Sequence, residues 1–92
     1  MPTLDRQKVL SRREYVPDVS VWIALNLFHK RHKAGLSQGQ LARKAGVSFR
    51  RYQSIETAAT GNVTVKTLSA LAHALDIEVR VLFSPRRDHV RV

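Results

Sequence analysis

Ninety-two residues make room for one small domain with a thin stability margin, because a chain of this size buries only about two-thirds of the surface it exposes when unfolded. The absence of cysteine excludes disulfides, thiolate zinc sites and thiol nucleophiles together, and fits a reducing, cytoplasmic setting. No apolar run approaches the ~18 residues of a membrane-spanning helix, and Met1 to Leu10 lacks the apolar core of a signal peptide. The net charge of +9 is unevenly placed: Val19 to Ile55 holds seven basic residues and no acidic one. Such a stretch presents a nearly unopposed positive field that attracts polyanions, nucleic acid first and anionic membrane a distant second.

Residues 1–17 mix charged and scattered apolar residues, hold two of the three prolines and show little helical rhythm, so they read as an arm. Asp18 or Ser20 can cap a first helix that runs through Val21, Trp22, Ile23, Leu25, Leu27 and Phe28 to Lys33 and stops at Gly35. Its apolar residues cover more than one stripe, which leaves a face for the arm or a second subunit to cover. Trp22 belongs with the core of this helix. Ser37 and Gln40 have the spacing of a capping box and open a second helix over Gln38–Ala45. Gly46 can take the positive φ that ends it, Val47 fills the turn, and Ser48 caps a third helix expected to reach about Thr57. Ala58 to Thr64 reads as loop, and Thr64 caps a fourth helix in which Val65, Leu68, Leu71, Ala72 and Leu75 recur at helical spacing. Ile77, Val79, Val81 and Phe83 alternate with Glu78, Arg80 and Leu82 and are rich in β-branched residues, which predicts a strand, with a short fifth helix as the alternative. A lone strand leaves backbone groups unpaired, so Ile77, Val79, Val81 and Phe83 are expected to meet the same strand of a second subunit about a twofold axis. Ser84 to Val92 reads as a basic tail. The expected organisation is therefore an arm (1–17), a helical domain (18–76) and a strand with tail (77–92).

The segment from Gln38 to Thr57 has the residue types of a helix-turn-helix at its fixed positions. Ala42 is small enough for the third helix to cross the second closely, Gly46 makes the turn, and Leu41, Val47, Tyr52 and Ile55 fill the wedge. Extended back to Gly35-Leu36-Ser37 and forward through Thr67-Leu68, Leu71-Ala72 and Ala74-Leu75, the pattern resembles the Cro/C1-type (XRE) family of DNA-binding regulators over roughly residues 19–76. The resemblance implies an all-α, lambda-repressor-like bundle of four to five helices. It also implies a transcriptional regulator that binds double-stranded DNA, either a homodimeric repressor on an inverted repeat or the antitoxin of a toxin–antitoxin pair, with a protein toxin as further partner. Three departures stand out: Tyr52 where the family has isoleucine or valine, Ala58 where it has glycine, and a following loop one residue longer than the common form.

Helix geometry sorts the third helix. With Ser48, Tyr52 and Ile55 inward, at ~100° per residue Arg50, Ser54 and Thr57 point outward and Phe49 and Gln53 flank them. Arg50 can bond guanine O6 and N7, Gln53 adenine, Ser54 either base, and Phe49 can lie against a thymine methyl. Phosphate contacts are expected from Gln38 at the amide end of the second helix and from Lys44, Arg51, Asn62, Thr64 and Lys66.

An enzyme is disfavoured by inventory, since there is no cysteine, no glycine-rich phosphate loop, no paired carboxylates and no motif around the four histidines. His29 and His32 are three apart, but cationic neighbours oppose metal binding there, so no metal and no cofactor is expected. An RNA-binding adaptor is disfavoured because no exposed aromatic-bearing sheet is evident.

Overall fold

A computed structural model describes residues 19–60 and 62–85; the arm with Asp18, Gly61 and the tail from Arg86 onward lie outside it. The described residues form four α-helices and one 3-10 turn: α1 (Val19–Lys33), α2 (Gln38–Ala45), α3 (Phe49–Glu56), α4 (Val65–Ala74) and the turn Val79–Phe83. Among them no helix is long and apolar enough to cross a membrane.

The local signals place the helix ends. Ser37 accepts from the Gln40 amide while the Gln40 side chain accepts from the Ser37 amide, so two donors at the start of α2 are satisfied reciprocally. Gly46 takes φ +73°, and its amide and that of Val47 close the last turn on the Ala42 and Arg43 carbonyls. Ser48 and Thr64 cap α3 and α4 by accepting from the amides of Arg51 and Thr67. Of the two caps expected for α1, Ser20 lies inside the helix and Asp18 lies outside the described residues. α3 ends at Glu56, one residue before the expected Thr57.

The core joins Ile23 and Leu27 of α1 to Leu41 and Ala42 of α2, Tyr52 and Ile55 of α3, and Leu68, Leu71, Ala72 and Leu75 at α4. α2 packs on α3 and α4, and α1 packs on α3 and on the Val79–Phe83 turn. α3 is thereby wedged between α1 and α2 along one face and left open along the other.

The strand expected over Ile77–Phe83 does not form. Val79–Phe83 is a 3-10 turn, and Leu82, assigned by the alternation to the polar set, is fully buried. In a 3-10 turn residues three apart share a face, so Val79 and Leu82 both reach the core beside Ile77. Burying Leu82 contributes about 1.5–3 kcal/mol, which a flat strand with Leu82 outward would forgo. The backbone accounting that called for a second strand is met internally. The buried Asn26 side chain donates to the carbonyls of Leu82 (3.0 Å) and Ser84 (2.7 Å), and local bonds run from Val81 to Glu78 and from Ser84 to Val81. Antiparallel strand pairing between subunits is therefore not how this segment is satisfied.

Candidate nucleic-acid interface

α3 is held from behind by a buried polar cluster. Arg31 of α1 forms a two-pronged ion pair with Glu56, Nε to Oε1 at 2.7 Å and Nη2 to Oε2 at 3.1 Å, with the two side chains only 9% and 5% exposed. Nη1 of Arg31 donates to the Leu36 carbonyl at 2.9 Å. Glu56 also accepts from the Tyr52 hydroxyl and from Nε2 of Gln38. One carboxylate thus ties α1, the start of α2 and the end of α3 together, and its bonds to charged or buried donors are the strong kind.

The electrostatics follow from this packing. Burial alone would raise the Glu56 pKa, but the hydrogen bonds from Arg31, Tyr52 and Gln38 outweigh it and hold the carboxyl below its ordinary value. Hydrogen bonding to Glu56 raises Arg31 further despite its burial. Burial, and then the hydrogen bond to ionised Glu56, push the Tyr52 phenol far up, so its hydroxyl remains a donor. The departure at Tyr52 acquires a physical reason: an aliphatic residue could fill the wedge but could not donate to Glu56.

On the other side of α3 lie the residues expected to read bases. Phe49 is 50% exposed, Arg50 and Gln53 are exposed and Ser54 is half-buried. Among the described residues the side chains of Arg50 and Gln53 make no hydrogen bond or ion pair. Tyr52 and Ile55 face inward as the geometry required, whereas Ser48 is exposed and acts as the cap. The Phe49 ring lies beside the first turn of α2, where a Cβ built on Gly39 would stand 3.9 Å from its Cδ1.

The residues expected at phosphates divide. Lys44, Thr64 and Lys66 are exposed and flank α3 in the sequence on both sides. Arg51 is half-buried and donates from Nη2 to the Asn62 carbonyl at 2.9 Å, so it braces the longer loop as well as offering charge. Gln38 has one amide hydrogen committed to Glu56 and a second remaining. Of the residues expected at a dimer contact, Ile77 and Val79 are partly buried against their own core, Val81 is half-buried and Phe83 is 39% exposed.

Sequence pattern alone does not single out Glu56, Arg31 or Asn26. Glu56 had a signal, being the carboxylate that ends the basic stretch and lying four residues after Tyr52. Asn26 had a fainter one, a lone amide inside the uncharged run from Val19 to Phe28.

A wedge of two short helices around a left-handed glycine, with the second helix bearing open polar side chains in a basic field, defines a helix-turn-helix protein. The helix-turn-helix family profile (HTH_3) matches residues 29–82, more than half of the chain. The chain belongs to this family, and is a DNA-binding transcriptional regulator of its Cro/C1 type. Among solved structures, the master regulator for biofilm formation SinR, crystallised in complex with DNA, is similar at 31% identity and TM-score 0.65, over 67% of this chain and 98% of that one. A hypothetical transcription factor from Neisseria, NHTF, shares the fold at 24% identity and TM-score 0.73, over 80% of this chain and 84% of its own. No curated protein matches.

Proposed function

We propose that the protein reads a specific duplex sequence as a homodimer and represses transcription by occupying an inverted repeat that polymerase needs. The observation that carries this reading is the contrast on α3: Tyr52, Ile55 and Glu56 anchored inside, Phe49, Arg50 and Gln53 open outside. In the complex Arg50 donates two bonds to O6 and N7 of a guanine, Gln53 pairs with adenine, Ser54 bonds either base, and Phe49 meets a thymine methyl. Lys44, Arg51, Asn62, Thr64 and Lys66 position the domain on phosphates, joined by the second amide hydrogen of Gln38 at the start of α2. Two copies of α3 enter successive major grooves ~34 Å apart. The edge formed by Val81 and Phe83, beside Ile77 and Val79, supplies the contact between subunits through side chains. The structure of SinR, a regulator in complex with DNA, supports the same reading for this chain. The family and the absence of a catalytic constellation in the sequence both point to a binding module without chemistry of its own.

The test is selection of bound duplexes from a random pool at defined salt. The expected product is an inverted repeat with a guanine in each half-site; equal affinity for all duplexes would overturn the reading.

A further inference from the structure

The DNA-reading function and the core account for α2, α3 and the inner side of α1, and leave the outer side of the first ten residues of α1 unexplained. From Val19 to Phe28 the helix carries no charged residue, and the family match begins only at His29. Ile23, Ala24, Asn26, Leu27 and Arg31 bury one side of α1. At ~100° per residue Val21, Leu25 and Phe28 form a line on the opposite side. Val21 and Phe28 are 40% and 41% exposed, and Val19 at the helix start is 48% exposed. The Phe28 ring is held on this surface by its own helix, 4.3 Å from the His32 ring, 5.3 Å from His29 and 5.7 Å from the Arg31 guanidinium. A helix that is apolar around its whole girth is stable only when covered around its whole girth. A solvated face would carry charge, and this one carries none for nearly three turns.

We propose that the outer face of α1 is the docking site of the chain's own amino-terminal arm, which folds back along Val21, Leu25 and Phe28. This inference stands apart from the reading of α3 and would survive its failure. Three arguments favour the arm over a second copy. The uncovered line of Val21, Leu25 and Phe28, bordered by the half-buried Trp22, offers on the order of 200 Å² of apolar surface, against the ~800 Å² per partner of a standard stable interface. That area is small for a dimer but suits a tethered segment, whose effective concentration is of millimolar order without any association cost. The arm also has the material and the reach. It carries Leu4, Val9, Leu10, Tyr15 and Val16, and eighteen residues before Val19 span up to ~60 Å extended, against ~11 Å from Val21 to Phe28. Finally, Pro17 disfavours helical backbone at Val16, so the sequence itself favours a break just ahead of the face.

The chain has no cysteine, so a nitroxide label can be placed at a single site in the full-length protein by the substitution Ser11→Cys. With label and ¹⁵N in the same chain, the amides of Val21 to Phe28 should lose most of their intensity and those of α2, which does not pack on α1, distinctly less. In an equal mixture of labelled unenriched chains and unlabelled ¹⁵N chains, the same amides should stay sharp. Broadening in the mixture would mean that a second copy covers the face, and no broadening in either sample would mean that it stands bare; each result overturns the proposal. A second readout uses the sole tryptophan, Trp22, at the border of the face. The full chain carrying Leu10→Ser and Val16→Ser should show red-shifted, more readily quenched emission with an unchanged sedimentation mass. Emission identical to the parent would count against docking, as would a fall in mass.

Discussion

On its inward side α3 has every polar group engaged, with Glu56 accepting from Arg31, Tyr52 and Gln38. On its outward side Arg50 and Gln53 engage nothing among the described residues. Eight residues of one helix thus serve two opposite requirements. The buried side cannot leave a donor or a charge unpaired, since each would cost about 1–3 kcal/mol or more. In the proposed complex the open side must leave them unpaired, because a donor satisfied within the protein cannot report a base. The rigidity of the first side sets the aim of the second, and mutations should separate the two.

The largest effect should come from Glu56→Ala. It strands the buried Arg31 and should destabilise the domain by about 3–5 kcal/mol, read as a lower denaturant midpoint, with DNA binding lost only as far as folding is lost. The same pair sets the acid limit. The Glu56 pKa in the folded state lies below its ordinary value of 4.5, so the stability it contributes is present above that value and disappears as pH falls through the lowered one. Melting temperatures followed from pH 7 into acid should therefore drop, and Glu56→Gln should show a shallower dependence. Arg50→Ala should leave the melting temperature nearly unchanged and weaken specific duplex binding by about 1–3 kcal/mol, with relaxed preference at one base pair. If Arg50→Ala weakened all duplexes equally, the division between the two sides of α3 would be wrong at its central residue. Tyr52→Phe keeps the wedge filled and removes one donor to Glu56, so a loss of about 1–2 kcal/mol in stability with intact base preference is expected from unfolding and binding titrations. The smallest effect concerns the loop that follows. Ala58 stands at φ +58°, a conformation that costs a residue with a Cβ about 1 kcal/mol, so Ala58→Gly should raise stability by about 0.5–1 kcal/mol in the same unfolding measurement.

Most of the framework was legible in the residues because its signals are local. Ser37 with Gln40, Gly46, Ser48 and Thr64 each act within a turn of their own position, and the spacing of Leu41, Val47, Tyr52 and Ile55 follows from helix geometry alone. The exposure of Phe49, Arg50 and Gln53 was legible for the same reason, once Tyr52 and Ile55 were placed inward. The carboxy-terminal segment was not. Alternation over Ile77–Phe83 fits a strand, and a five-residue turn repeats too few times to show its own period.

The sequence by itself determined where α2, α3 and α4 start, which side of α3 faces inward, and the positive field around it, since these depend on neighbours within about four residues and on composition. Only the tertiary structure decided that Arg31, Gln38, Tyr52 and Glu56 share one buried site, and that Asn26 closes the backbone of Leu82 and Ser84 across more than fifty residues. Contacts between residues far apart in the chain depend on how the helices cross, and no local pattern encodes that crossing. The same physics converted Ile77–Phe83 from an expected strand into a turn: a buried leucine and two carbonyls satisfied by a distant amide outweigh a preference spread over β-branched side chains.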